Sequence, residues 1–318
     1  MNKTENSSKK NIGEVFQKYG YVLVLALFAM ILSTLSPYFL TVSNFINIAR
    51  QVSINFILAV GATVVIISAG IDLSVGSILA FSGVVGALYL NTGGNFIVAI
   101  LIALALGTLL GVINGFFIAK MKLAPFIATL GMMSVARGLA LVVTGGNAIT
   151  IDVPNYVFLG SGVIFGIPVP VIIAGLIFLL GAFLLSKTWI GKYIYAIGGN
   201  KEASRLSGIE VDKMLIFTYG LSGFLAGLAA VVLSARLWAA PPIMGEGYEL
   251  QAIAAAVIGG ASLSGGEGFL TGTLYGAFVI GIIRNGLNLI GVSSFWQQVA
   301  IGSIIILAVL VDQIKKRK

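Results

Sequence analysis

The chain has 318 residues, of which 58% are hydrophobic and only 9% charged, with a mean hydropathy of +1.05. A soluble globule carries about 25% charged residues, so this composition excludes one and places the chain in lipid. It holds no cysteine and no histidine, which excludes disulfides and removes the commonest general base and metal ligand, and no Walker A string occurs, so neither an enzyme, a metal site nor a resident ATPase is expected.

Crossing about 30 Å of hydrocarbon takes roughly 20 helical residues. Residues 1–18 are polar and carry four lysines, and the apolar run at 19–35 follows. That run is long, lacks a small-x-small cleavage site and is closed by Ser36-Pro37, so it reads as an uncleaved first helix. Further runs lie at 54–69, 73–90, 96–119, 124–143 and 168–186, with a turn at 91–95 and a long loop at 144–167. The segment 187–213 is the largest polar insertion. Beyond it come runs at 214–235, 250–258, 269–290 and 295–311, the second of them too short to span alone and so broken or re-entrant. The last residues, 312–318, end in a basic tail.

Basic residues set the orientation. If the N-terminus is cytoplasmic and ten helices follow, 15 of the 19 Lys and Arg fall on the cytoplasmic side. The net charge of +8 is therefore a mark of topology and not of nucleic-acid binding. The four exceptions are Arg50, Arg137, Arg236 and Arg284, and the two that fall within apolar runs, Arg137 and Arg284, need a cavity, a carboxylate or backbone carbonyls.

A motif of the form G-x-(D/S)-L-S-x-G occurs twice, at 70–76 and at 260–266. The topology puts both copies at cytoplasmic helix ends, so the repeats are expected to be parallel. Asp72 and Ser74 in the first copy, and Ser262 and Ser264 in the second, are candidates to line a pathway or gate. An aspartate at the bilayer centre costs roughly 2.5–3.5 kcal/mol and is a functional hypothesis by default; the competing reading is that Asp72 caps the next helix. Ser264 and Glu267 have the spacing of a capping box. Glycines four apart at 107, 111 and 115, at 223 and 227, and at 272 and 276 are expected to bring helices close together.

The segment 198–209 reads as a two-turn helix, capped by Asn200 and ended by Gly208, with Ala203 and Leu206 on one stripe and Glu202 beside Arg205. It either rests at the headgroups or docks into a cytoplasmic partner. Here the strings GIDLSVGS (70–77), YAIGGNKEASRLSGI (195–209), YELQAIAAAVIGGASLSGGEG (248–268) and VSSFWQQVAIGSIIILAVLVDQ (292–313) resemble the permease subunits of ribose-type ABC sugar importers over residues 32–312. The resemblance implies one permease domain over 1–318, with tails at 1–18 and 312–318 and a coupling loop at 187–213. It implies a bacterial inner-membrane homodimer, both termini cytoplasmic, working with a cytoplasmic ABC ATPase subunit that uses ATP and with an extracytoplasmic sugar-binding protein. No cofactor is implied in this chain itself. It also identifies Asn200, Glu202, Ala203, Arg205, Leu206 and Gly208 as the ATPase-coupling residues.

The fold class expected is thus an all-α polytopic membrane protein of about ten helices, with an internal repeat and broken or short helices at the two motifs. The function expected is import of a monosaccharide, ribose or a related sugar. Glu246 and Glu249, in the loop at 236–249, are candidates for docking the binding protein, as is the loop at 144–167. The alternative is an ion-coupled secondary transporter of a small polar solute with Asp72 as its ion site.

Overall fold

The computed structural model describes residues 29–316. The N-terminal tail at 1–18, the first run up to residue 28 and the last two basic residues lie outside them. Helix α1 covers residues 29–35 of the described chain. It is followed by α2 (Val42–Ile67), α3 (Val75–Asn91), α4 (Phe96–Ala119) and α5 (Pro125–Thr144). Next come α6 (Pro154–Ser161), α7 (Val169–Lys187), α8 (Trp189–Gly199), α9 (Lys201–Leu206) and α10 (Val211–Leu237), and last α11 (Tyr248–Ile258), α12 (Leu270–Leu289) and α13 (Ser294–Lys316). Four two-residue strands complete it: β1 (Ile149–Thr150), β2 (Val163–Ile164), β3 (Ile167–Pro168) and β4 (Ala239–Ala240).

Among the described residues, five helices are long and apolar enough to cross a bilayer: α2, α4, α5, α7 and α10. Burial sorts them into two layers. The apolar windows of α2 and α10 are 89% and 72% buried, whereas those of α4, α5 and α7 are 28%, 28% and 22% buried and lie at the periphery of the chain. A helix apolar all round belongs in the interior, and α2 does pack against α7, α10, α11 and α12 at once.

Glycine determines how closely α10 is approached. Gly107 and Gly111 of α4 lie directly on Gly227 and Gly223 of α10, where an added Cβ would stand about 3.0 Å from the opposing Cα atoms. The two helices therefore run antiparallel with backbones in contact, the arrangement small residues one turn apart permit in lipid. Gly276 of α12 meets Ala255 of α11 in the same way.

Two segments hold more structure than their polarity suggests. The loop at 144–167 contains α6, a β2–β3 hairpin, and β1, which pairs antiparallel with β4. The polar segment at 187–213 begins with the 11-residue helix α8, whose N-cap Thr188 accepts the Gly191 N–H. The chain after β4 does not stay at the surface. It folds back along α3, with Met244 against Gly83 and Gly245 against Gly76. Only then does α11 begin, and its 11 residues rise about 16 Å, half a bilayer.

Candidate functional site

Both motif copies fall where helices break, and the two breaks are built alike. The helix α2 ends in a Schellman motif in which Gly70 N–H donates to Val65 O and Ala69 N–H to Ile66 O. At the end of α11, Ala261 N–H donates to Ala256 O and Gly260 N–H to Val257 O. The left-handed position belongs to Gly260 in the second copy (φ 94°) but to Ala69 in the first (φ 61°), so the first break carries one extra residue before its acidic position. At the third motif position the match resumes: Asp72 Oδ1 accepts the Ser74 N–H at 2.9 Å, and Ser262 Oγ accepts the Ser264 N–H at 3.3 Å. Aspartate and serine both close this turn over the N–H two residues on, which is why either serves there.

Asp72 is 2% exposed and its carboxylate is fully engaged. Oδ1 also accepts the Ser74 hydroxyl at 2.6 Å, and Oδ2 accepts the Ser222 hydroxyl of α10 at 2.8 Å. Asn114 of α4 donates in turn to Ser74 Oγ at 2.9 Å. The network therefore ties the first break to α4 and α10. Ser262 is buried while Ser264 is exposed. Ser264 does not stand at the start of a helix, as the expected capping box with Glu267 requires: left-handed glycines at 265 and 266 carry the chain on and α12 starts only at Leu270.

The two breaks touch each other and the polar segment at 187–213. Gly266 N–H donates to Ile67 O at 2.8 Å, and Gly265 packs on Ala69 and on Gly198 O. A Cβ added at Gly198 would collide with Ile67 O and Gly266 N. The end of α8 is thus wedged between both repeats, and a cavity of about 150 Å³ separates Gly70 from Asn200.

Beyond that wedge, α9 stands out as a knob. Asn200 Oδ1 accepts the Ala203 N–H at 2.9 Å, and Gly208, at φ 84°, ends the turn. Within it only Ser204 is buried, while Glu202, Ala203 and Arg205 are exposed and Leu206 is 89% exposed. Asp212, in the first turn of α10, holds its base by ion pairs to Lys120 at 3.1 Å, Lys122 at 3.3 Å and Arg205 at 3.6 Å. Arg205 also pairs with Glu202 at 3.0 Å. Partial burial, with Lys122 and Arg205 beside it, lowers the Lys201 ammonium below its ordinary pKa.

Of the two acids in the loop at 236–249, Glu246 is exposed and Glu249 is partly buried. Because the chain folds back before α11, Glu249 sits over Gly76, its Oε1 accepting the Gly247 N–H at 3.3 Å and its Oε2 buried. Glu246 lies two residues before the start of α11 on the same folded-back loop. Arg137 holds that loop down, donating to Pro242 O at 2.6 Å and Met244 O at 3.1 Å. The surface that remains near β4 joins the 144–167 segment, where Ile151 N–H donates to Trp238 O and the Tyr156 and Ser234 hydroxyls lie 2.9 Å apart.

Arg284, expected to need a cavity, a carboxylate or backbone carbonyls, lines a polar cavity of about 580 Å³, but sequence reasoning did not foresee its companions there, among them Gln51, Asn55, Arg236, Tyr248 and Asn288. Arg236 is in the last turn of α10, about 36 Å along that helix from Asp212, so the cavity and the knob lie at opposite ends of one rod. Arg284 donates to Gln251 Oε1 at 3.2 Å and lies 5.8 Å from the Tyr248 ring centre. The sequence does carry a signal: Gln51 with Asn55, and Arg284 with Asn288, are polar pairs four apart on otherwise apolar helices.

Comparison with known proteins adds the family. The family described as "Branched-chain amino acid transport system / permease component" matches residues 44–311. The ribose import permease protein RbsC of Escherichia coli (strain K12) is 48% identical over 299 residues, 93% of each chain. RbsC of Bacillus subtilis (strain 168) is 50% identical over 303 residues, 95% of this chain and 94% of its own. The D-allose transport system permease protein AlsC of Escherichia coli (strain K12) is 41% identical over 316 residues, 98% and 97% of the two chains. No solved structure matches the chain.

Proposed function

The chain belongs to the branched-chain amino acid transport system / permease component family, and from that premise we propose that it is the membrane-spanning subunit of an ATP-driven monosaccharide importer, taking ribose or a closely related sugar. The observation that carries the reading is the wedge at the end of α8. One rigid segment contacts both motif breaks and continues into α9, an exposed knob with an apolar tip at Leu206. Movement of such a knob reaches both breaks at once. In this reading Asn200, Glu202, Ala203, Arg205, Leu206 and Gly208 engage a cytoplasmic ABC ATPase. The breaks, with Asp72, Ser74, Ser262 and Ser264, form the inner gate of a pathway completed by a second copy. About ten crossings with both termini cytoplasmic put the knob inside and the cavity outside. A sugar-binding protein then docks on the surface built from α6, β1 and β4, above the cavity.

Asp72 is not an ion site in this account. Its three donors are neutral groups that hold a turn, and the second repeat keeps that turn with a serine. Uptake of labelled ribose, allose and arabinose, by cells whose own permease is replaced with this chain beside its ATPase and binding protein, tests the substrate class. Concentrative uptake of one of these sugars is expected. Uptake no greater than in permease-free cells for all three would overturn the reading.

A further inference from the structure

We infer that the polar cavity at the outer end of α10 is a transient binding station for one neutral monosaccharide, with Asn55 as its recognition residue and Arg284 as the residue that positions it. The inference rests on the importer reading and adds where, and by which atoms, the permease meets its sugar. Its starting point is a hydrogen bond whose direction is fixed. Arg284 can only donate, so the Gln251 atom 3.2 Å from it must be the acceptor oxygen Oε1. Asn55 reaches the same oxygen at 2.9 Å and must therefore present its amide nitrogen. That leaves Asn55 Oδ1, on a side chain only 7% exposed, as a buried acceptor without a partner on the wall of a 580 Å³ cavity.

Such an orphaned acceptor costs stability unless something donates to it. The choice of ligand follows from its sign. A phosphate or carboxylate has only acceptor oxygens and would meet Asn55 Oδ1 lone pair to lone pair. A sugar hydroxyl donates to Asn55 and accepts from Arg284 or from the amides of Gln51 and Asn288 in the same cavity. The volume suits one monosaccharide, being within the roughly 300–1,000 Å³ of small-molecule sites. The contacts are few and partly shared within the protein, as a station that must release its sugar onward requires. Arg236, also on the wall, adds a second fixed cation, which sets a barrier against cations following the sugar.

The test uses the intact chain in lipid nanodiscs, with D-ribose as probe and acetate as the acceptor-only anionic comparison, read by saturation-transfer NMR and by thermal shift. Ribose is expected to give a saturable signal and acetate none. Asn55→Leu and Arg284→Gln should weaken ribose binding about fivefold to tenfold, the scale of one lost polar contact. Arg284→Lys, which still donates to Gln251, should retain more binding than Arg284→Gln. In the assembled importer the same variants should slow uptake while ATPase assembly is unchanged. If the wild-type importer takes up ribose but Asn55→Leu and Arg284→Gln bind and transport it like wild type, the station is wrong and the importer reading stands. A stronger signal from acetate would also overturn the station. Failure of the wild-type importer to move any sugar refutes the importer reading instead.

Discussion

Replacing Asp72 separates a turn-forming carboxylate from a working charge. In Asp72→Asn, Oδ1 keeps both Ser74 donors, and the new amide nitrogen meets the Ser222 hydroxyl, which reverses its role from donor to acceptor. Every bond survives at neutral strength, so the expected cost is about 1 kcal/mol. In Asp72→Ala the Ser74 N–H, the Ser74 hydroxyl and the Ser222 hydroxyl all lose their acceptor inside the protein. Bonds to a charged group contribute about 1.5–3 kcal/mol each, and relief of the buried carboxylate offsets part of that loss, leaving a net destabilisation of about 3–5 kcal/mol. Thermal unfolding of both variants in nanodiscs, beside sugar uptake, gives the two readouts. The expected pattern is near-normal uptake and stability for Asp72→Asn and loss of both for Asp72→Ala. An Asp72→Asn protein as stable as wild type but unable to transport would refute the reasoning, because only the charge would then be missing.

Charge reversal at Arg205 removes its pairs to Glu202 and Asp212, both exposed enough to contribute about 1 kcal/mol or less, so Arg205→Glu should insert and fold normally yet lose ATP-driven uptake. Gly198→Ala places a Cβ on Ile67 O and Gly266 N; co-purification with the ATPase should persist while uptake per ATP hydrolysed falls. Ala69→Gly relaxes a left-handed residue and should raise stability by up to about 1 kcal/mol, measured by thermal unfolding. Arg137→Ala frees two carbonyls and should speed hydrogen exchange at residues 241–247 before it changes exchange elsewhere.

Long apolar runs announced their helices well, because a segment in lipid must satisfy its own backbone: the run at 96–119 is α4 to the residue. The cap at Asn200 and the stop at Gly208 were legible for the same reason, being local chemistry. The two breaks were visible as a repeat. Their one-residue offset was not, because Ala69 takes a conformation that sequence assigns to glycine. Nor did local sequence reveal that the chain after β4 folds back along α3, which depends on Arg137 meeting carbonyls more than 100 residues away. Arg284 signalled a need for a cavity, but the rest of its lining escaped because those polar residues come one or two at a time from several elements. The contact of Glu249 with Gly76 was not legible for a related reason: it depends on the fold-back.

The most direct test of the central claim is the energy source for uptake. Liposomes holding this chain, its ATPase subunit and its sugar-binding protein should accumulate sugar only when ATP is supplied to the ATPase face. Liposomes holding the chain alone should accumulate none under proton or sodium gradients. Accumulation by the chain alone on an ion gradient would contradict the account.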